Sequence, residues 1–307
     1  MSSLLKSSAP SAVPASTSAP RNDPVRGILF ILAAAVFFSA SDGMAKFLIQ
    51  SMPVMEVAWV RYVVFAVLTC LPMLRHGPAT LATHHPWLQL LRGGAVVGSA
   101  LLFIFGVRPL PLADATAISF AAPLIITALS VPFLGETVGL RRWIAVSVGL
   151  VGVLLVVQPG SDAFQPAAIL PFLSAVFWAG GAIITRQLAA TDSTAATLAW
   201  TAFTGLVASS VLIPFDFQVP SLAQAALGLF LGLVSSAGQS FVALAYCQAA
   251  ASVVAPFSYA QLITSALLGY LLFNARPGAA TLLGAAVIAA SGLYVARQER
   301  RGRRRQT

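Results

Sequence analysis

The sequence predicts an all-α membrane protein whose ten transmembrane helices form two inverted repeats of five helices each. Three observations lead to this fold class: an apolar composition, ten apolar segments of bilayer length, and a similarity between the two halves of the chain. Hydrophobic residues make up 58% of the 307 positions and charged residues 9%, whereas soluble domains carry roughly 25% charged residues. Such a chain is suited to lipid, and a single large soluble core is disfavoured.

Ten apolar segments follow an N-terminal stretch that is rich in Ser, Ala and Pro. Each segment has about the 17 to 25 residues that cross a hydrocarbon core as a helix. Helices are required because lipid offers no hydrogen-bond partners to open backbone groups. The predicted segments are 27–48, 54–74, 88–107, 112–134, 141–157, 167–188, 194–214, 223–246, 251–273 and 278–296.

Lysine and arginine predict the orientation of these helices. With the N-terminus in the cytoplasm, fourteen of the eighteen basic residues fall on the inner side of the membrane, and the other four are Lys46, Arg61, Arg108 and Arg276. Since basic residues accumulate in cytoplasmic loops, we expect both termini to be cytoplasmic. The net charge of +9 has the same explanation, and no interleaved aromatic residues indicate a nucleic-acid partner.

The two halves of the chain are similar at an offset of 140 residues. Residues 35–38 match 175–178, and residues 46–48 match 186–188. Because five spans is an odd number, the second half must enter the membrane from the opposite side. Inverted repeats with a site near the midplane are typical of transporters. Chance similarity among apolar helices is the alternative explanation.

Cysteine and histidine provide no pattern for a metal, a disulfide or a redox cofactor. Cys70 and Cys247 lie inside apolar segments, where we expect two buried thiols. His76, His84 and His85 share one short loop, without the spacing of a zinc site. The sequence therefore predicts no cofactor and no metal.

A set of short motifs carries a family resemblance. In the first half the motifs are 92–94 (RGG), 110–118 (LPLADATAI), 122–124 (APL), 133–136 (FLGE), 141–143 (RRW) and 149–153 (GLVGV). In the second half they are 255–259 (APFSY), 269–273 (GYLLF), and Gly284 with Gly292. On these motifs the chain resembles EamA-type members of the drug/metabolite transporter superfamily from residue 26 to residue 297.

The resemblance implies an inner-membrane transporter with a central cavity between two EamA-like repeats, 26–158 and 159–297. Outside the repeats we expect a disordered tail at 1–25 and a basic cytoplasmic tail at 298–307, which should bind anionic lipid headgroups. The family's glutamate at the end of the fourth span is present as Glu136, whereas its second-half counterpart is Asn274. The sequence does not predict an oligomeric state.

Charged residues inside the spans are candidates for gating or substrate contact, because each costs roughly 2.5 to 3.5 kcal/mol to insert. Asp42 and Lys46 lie four residues apart on one helical face. They form either a self-neutralising pair, with Lys46 snorkelling outward, or a titrating Asp42 beside a lysine at the cavity mouth.

Four further charged residues have structural interpretations, and Arg61 also has a functional one. Arg61 requires a partner, either Asp42 or Glu56 in an ion pair or an anionic substrate. Asp114 begins the fourth span, where it suits a helix cap, and Glu136 is expected in a salt-bridged inner turn with the arginines that follow. Arg92 near an inner helix end is expected to snorkel toward phosphates.

The fourth and ninth spans are the predicted cavity walls, because each carries a proline, Pro123 and Pro256, that frees a backbone carbonyl and can kink the helix. The polar and aromatic candidates near them are Ser119, Trp178, Gln239, Tyr259, Gln261, Thr264 and Ser265. Polar side chains that only hold helices together are the alternative interpretation.

These features favour a secondary transporter of small organic metabolites that works by alternating access, with Asp42 as the group that a proton-coupled mechanism would use. Exporters and importers share all of them. The alternative is a membrane-embedded enzyme acting on a lipid or isoprenoid, which would need a carboxylate cluster or a His/Asp pair at the membrane surface. The nine acidic residues are widely dispersed and form no such cluster in the sequence.

Overall fold

A computed structural model describes residues 23–77, 82–135, 139–160, 164–188, 191–215, 217–248 and 255–304, and this part of the chain contains helices and no strand. The α-helices, numbered in chain order, are α1 Pro24–Leu48, α2 Val54–His76, α3 Pro86–Val107, α4 Leu112–Ser119, α5 Ala122–Leu134, α6 Leu140–Val157, α7 Ile169–Leu188, α8 Thr194–Leu212, α9 Leu222–Gln248, α10 Ala260–Phe273 and α11 Ala279–Arg304. Short 3-10 helices lie at Pro166–Ala168, Ile213–Phe215 and Ala255–Tyr259.

Seven apolar segments in the described residues are long enough to cross a membrane, and three apolar helices are shorter. The long segments correspond to α1, α2, α3, α4 with α5, α7 with its preceding 3-10 turn, α8 with the following turn, and α9. The shorter ones are Trp143–Val157, Phe257–Phe273 and Ala279–Tyr294. The fold is therefore that of an all-α, multi-pass membrane protein.

The ends of the first and last helices differ from the predicted ends. Helix α1 begins at Pro24 instead of residue 27, because the Asp23 carboxylate accepts a hydrogen bond of 3.1 Å from the Arg26 amide and caps the first turn. Helix α11 continues to Arg304, past the predicted end at residue 296. Hydropathy predicts where a helix leaves lipid, and a helix can continue beyond that point into water.

The fourth predicted segment consists of two helices. Helix α4 ends at Ser119, two turn residues follow, and α5 begins at Ala122 with Pro123 in its first turn. Proline has no amide to donate to the preceding turn, and its ring suits the first turn of a new helix. The ninth segment changes character at the corresponding place, from the 3-10 helix Ala255–Tyr259 to α10.

Helices from the two halves of the chain pack against each other. Helix α1 lies along α9, α3 along α7, and α6 along α11, while α2 contacts both α8 and α9. The largest apolar core lies where α1 ends and α2 and α4 begin, and includes Leu48, Val57, Val107 and Leu112, each at most 1% exposed. The prediction of a buried thiol at Cys70 is wrong, because this side chain is exposed on α2; the side chain of Cys247 lies outside the described part.

Candidate functional site

A cavity of about 490 Å³ lies between the two halves of the helix bundle. Its volume is within the usual range of about 300 to 1,000 Å³ for small-molecule sites. Residues of α1 to α5 and of α7 to α11 line it, together with the 3-10 helix Ala255–Tyr259. Its wall combines polar side chains with the aromatic rings of Phe38, Phe65, Phe103, Phe120 and Trp178.

Eight residues that the sequence suggests as cavity candidates lie on the wall of this one cavity: Asp42, Arg61, Ser119, Pro123, Trp178, Gln239, Tyr259 and Gln261. They come from six different spans, so only the folded bundle brings them together. Thr264 and Ser265 are not on this wall. Their hydroxyls bond within α10, and Thr264 also contacts Ser39 of α1 at 2.6 Å, as the helix-packing alternative predicts.

The Asp42 carboxylate lies at the deep end of the cavity, beside α10. Its Oδ2 accepts a hydrogen bond of 3.4 Å from the Gln261 side-chain amide. The guanidinium of Arg61 acts on this carboxylate through its charge without direct ion pairing. Asp42, Gln261 and Arg61 thus place an anion, an amide and a cation on one part of the wall.

Serine residues of α3 and α4 connect the cavity wall to α7. The Ser99 hydroxyl donates to the Ser174 backbone oxygen at 2.9 Å, and the two hydroxyls are 3.0 Å apart. The Ser119 hydroxyl donates to the Pro171 carbonyl at 3.3 Å, close to the break between α4 and α5. These bonds hold first-half helices against a second-half helix, and each can exchange for a substrate group at low cost.

Arg92 is a cavity residue that the sequence analysis did not identify. The prediction that it snorkels toward phosphates is wrong, because its guanidinium turns into the bundle and bonds to three acceptors on α7 and α8. Nε donates to the Thr185 hydroxyl at 2.7 Å, and Nη1 donates to the Thr197 carbonyl at 3.0 Å and to the Thr201 hydroxyl. Its position six residues into an apolar helix is the signal that could have identified it.

The Tyr259 hydroxyl is buried and has no hydrogen-bond partner in the described part of the chain. The ring stacks at a tilt on Phe120, with centroids 5.1 Å apart, so the two cavity walls touch here. The hydroxyl is accommodated by Gly292 of α11, since a Cβ atom at that glycine would lie 1.6 Å from the oxygen. An unpaired buried hydroxyl is costly unless a ligand pairs with it.

Lys46 lies outside the cavity and does not pair with Asp42, so the self-neutralising pair predicted as one alternative is wrong. Its ammonium group donates to the Val107 carbonyl at 2.9 Å and to the Leu110 carbonyl. It also lies 5.4 Å from the centre of the Phe273 ring. Lys46 therefore ties α1 to the end of α3 and the following turn, above the closed end of the cavity.

The other ionic candidates are dispersed around the bundle. Asp114 lies in the first turn of α4, but it does not cap that helix, because its carboxylate accepts a 2.6 Å hydrogen bond from Thr281 of α11. Glu56 is buried near the start of α2 and accepts a 3.4 Å bond from the Gln218 amide. Glu136 lies outside the described residues.

Comparison with known proteins identifies the family of this cavity-containing bundle. The profile of the EamA-like transporter family matches residues 25–158 and again residues 165–297. The chain belongs to the EamA-like transporter family. The two matches cover most of the sequence, and each includes residues that line the cavity.

Individual EamA-like relatives match over nearly their whole length. The chain is 32% identical over 285 residues to a riboflavin transporter from Rhizobium johnstonii, covering 92% of this chain and 94% of the relative. It is 30% identical over 276 residues to an S-adenosylmethionine uptake transporter from Rickettsia bellii, covering 90% and 94%. A pseudopaline exporter from Pseudomonas aeruginosa is 30% identical over 281 residues, covering 89% and 97%.

A protein of known crystal structure shares the fold of this EamA-like chain. It superposes with a TM-score of 0.64 at 19% sequence identity, covering 89% of this chain and 98% of the other. At this identity the likeness concerns the fold alone.

Proposed function

We propose that this EamA-like protein is a secondary transporter that carries small organic metabolites across the inner membrane by alternating access. The observation that carries the proposal is the cavity between the two family-matched halves, lined by residues of both. The relatives are named as transporters of riboflavin, S-adenosylmethionine and pseudopaline. Their names and the family indicate a transporter, and they give no support to the lipid-modifying enzyme considered from the sequence.

Ten spans in two inverted repeats are part of this proposal, and the packing of the helices supports them. Exchanging the two halves converts the α1–α9 contact into the α7–α3 contact, and the α2–α9 contact into the α8–α3 contact. The contact of α1 with α10 corresponds in the same way to that of α7 with α5. The α2–α8 and α6–α11 contacts map onto themselves. A pseudo-twofold axis in the membrane plane produces this pattern.

The cavity lies nearer one end of the bundle, and we assign that end to the cytoplasm. Its wall extends to Arg186 near the end of α7 and Val242 near the end of α9. The apolar core around Leu48 and Val107 fills the other end. With both termini cytoplasmic, as the distribution of basic residues predicts, this is an inward-facing conformation, and the basic end of α11 would meet anionic headgroups.

Asp42 is our candidate for proton coupling. It is the acidic residue on the cavity wall within the described part of the chain. A carboxylate between a cation and an amide can release its proton to one compartment and regain it from the other as access alternates. Replacing it with asparagine retains the shape and removes the exchangeable charge.

The test is a panel of metabolite uptake and release in cells that express the full chain, compared with Asp42→Asn. We expect selective flux for the unmodified chain, and in the variant either loss of flux or flux that no longer responds to the pH gradient. Asp23→Asn is the matched control, because Asp23 lies outside the cavity and asparagine is an equally good helix cap. Flux that is identical in Asp42→Asn would refute coupling through Asp42. Absence of flux for every compound, with the protein folded in the membrane, would refute the transporter proposal.

A further inference from the structure

Positive charges outnumber negative charges on the described part of the cavity wall. Arg61 and Arg92 place two guanidinium groups on it, against the single carboxylate of Asp42 in the described residues. Charge buried in a low-dielectric site interacts far more strongly than the same charge in water. A surplus of arginine in such a cavity therefore selects against cations and favours anions.

Arg92 carries a charge that its protein partners do not neutralise. Its three described acceptors are two threonine hydroxyls and a backbone carbonyl, all of them uncharged. These bonds fix the guanidinium plane and use Nε and Nη1, and no described bond uses Nη2. A guanidinium held by neutral groups keeps its full charge available to an anion.

Arg61 is the less restrained of the two cations. It has no hydrogen bond or direct ion pair with any described residue, and the nearby Asp42 acts on it only through charge. By helix rise, Arg61 lies about 10 Å below the closed end of α2, and Arg92 about 9 Å above the open end of α3. The two arginines therefore form a path for an anion, with Arg92 near the entrance and Arg61 near the closed end.

The rest of the wall is suited to a planar apolar group. The Phe120 and Tyr259 rings lie in contact, and Trp178 is 43% exposed on the cavity wall. Flat rings stack on such side chains, while the guanidinium groups bind carboxylate or phosphate oxygens.

We propose that the transported substrate is an organic anion, a carboxylate or phosphate ester attached to a planar ring, and that Arg61 binds its charged group at the closed end of the cavity. This rests on the proposed transport function and narrows its substrate class. A permanently cationic substrate would face two arginines, with one carboxylate in the described residues to offset them. The proposal therefore separates this chain from relatives named for a cationic cargo such as S-adenosylmethionine.

The test measures binding of charge-matched pairs to the full chain reconstituted in lipid nanodiscs. The phosphate arm compares riboflavin 5′-phosphate with riboflavin and adenosine 5′-monophosphate with adenosine. The carboxylate arm compares 4-hydroxybenzoate with 4-hydroxybenzamide, and S-adenosylmethionine is the cationic probe. We expect the anionic member of at least one pair to bind about tenfold or more tightly than its neutral partner, with weaker preference at high salt.

Substitutions at Arg61 assign the preference to this site. Arg61→Gln should abolish the difference between the anionic and neutral members, and Arg61→Lys should retain part of it. Folding of these variants is expected because Arg61 makes no hydrogen bond to any other described residue. Arg276→Gln removes an equal charge at an exposed position near Tyr270, outside the cavity, and should leave the preference unchanged.

Three results would overturn the proposal. They are equal or tighter binding of the neutral members, tighter binding of the cationic probe, and an anion preference that survives Arg61→Gln. If no probe binds, the charge of the substrate found by the cellular flux panel decides between the outcomes. A neutral or cationic substrate would overturn this inference and leave the proposed transport function intact. Absence of all flux would instead refute the proposed function.

Discussion

At the scale of single residues, the position of a basic residue along its helix does not determine the direction in which its long side chain extends. Lys46 and Arg92 lie near helix ends, and sequence analysis allows both to extend toward water. In the folded protein each turns inward to oxygen acceptors on other helices, at Val107 and Leu110 for Lys46 and on α7 and α8 for Arg92. These acceptors lie 61 to 109 residues away along the chain, so no local pattern shows them.

Asp192, in the loop between α7 and α8, leads to a prediction about pH. Burial alone raises the pKa of this carboxyl, but hydrogen bonds from Thr83, from Gln89 at 2.7 Å and from the His84 amide at 3.2 Å outweigh it and lower the pKa below its ordinary value of 3.8. Since the folded pKa is the lower one, the carboxylate stabilises the fold above the ordinary value, and this contribution is lost as pH falls through the folded pKa.

We therefore expect Asp192→Asn to lower the midpoint of thermal unfolding at pH 7. The loss should be on the order of 1 kcal/mol, because the carboxylate is screened by water. The difference from the unmodified chain should close as the pH falls below the ordinary pKa of 3.8. Thermal unfolding in detergent, monitored by tryptophan fluorescence at several pH values across this range, measures the difference between the two midpoints. A difference that stays constant with pH would contradict the charge-based explanation.

At the scale of elements, close helix packing depends on glycine at particular contacts. Helices α6 and α11 meet where Gly152 faces Gly284, and a Cβ atom at Gly284 would lie 2.5 Å from the Gly152 carbonyl oxygen. Because glycine has no side chain, the two backbones can approach closely and gain dispersion contacts that are at least as favourable as those with lipid. Gly180 of α7, in contrast, has open space where a Cβ atom would be placed.

We expect Gly284→Ala to destabilise the protein and Gly180→Ala to leave it unchanged or slightly more stable. The first change forces α6 and α11 apart, at a cost of about 1 to 3 kcal/mol. The second replaces glycine with a better helix former in open space. Thermal unfolding midpoints of the two purified variants, compared with the unmodified chain, measure this. Equal midpoints for both variants would show that the α6–α11 contact does not depend on its glycines.

At the scale of the whole molecule, the number of spans determines on which side each terminus lies. Seven apolar segments are long enough to span by length and composition, and three shorter helices bring the total to ten. The shorter helices include α6 and α11, which pack along each other as the other cross-half pairs do. We therefore expect all ten to cross the membrane.

Reporter fusions test this expectation directly. With ten spans both termini are cytoplasmic, so green fluorescent protein should be fluorescent when fused to either terminus. Alkaline phosphatase fused to the C-terminus should be inactive. A second phosphatase fusion after Val219, in the loop between α8 and α9, should be active because that loop is predicted outside. Active phosphatase at the C-terminus, with a fluorescent N-terminal fusion, would place the termini on opposite sides and indicate an odd number of spans, such as the seven long segments alone would give.

The sequence alone determines the helical, multi-pass membrane class of this protein, because hydropathy and the backbone's need for hydrogen bonds act locally along each apolar segment. Its motifs also identify the family, and its candidates Asp42, Arg61 and Tyr259 lie on one cavity wall. The tertiary structure alone shows the lysine bound to distant carbonyls and the surplus of arginine that includes Arg92. These features depend on which helices pack together, and that pairing joins residues far apart in the chain.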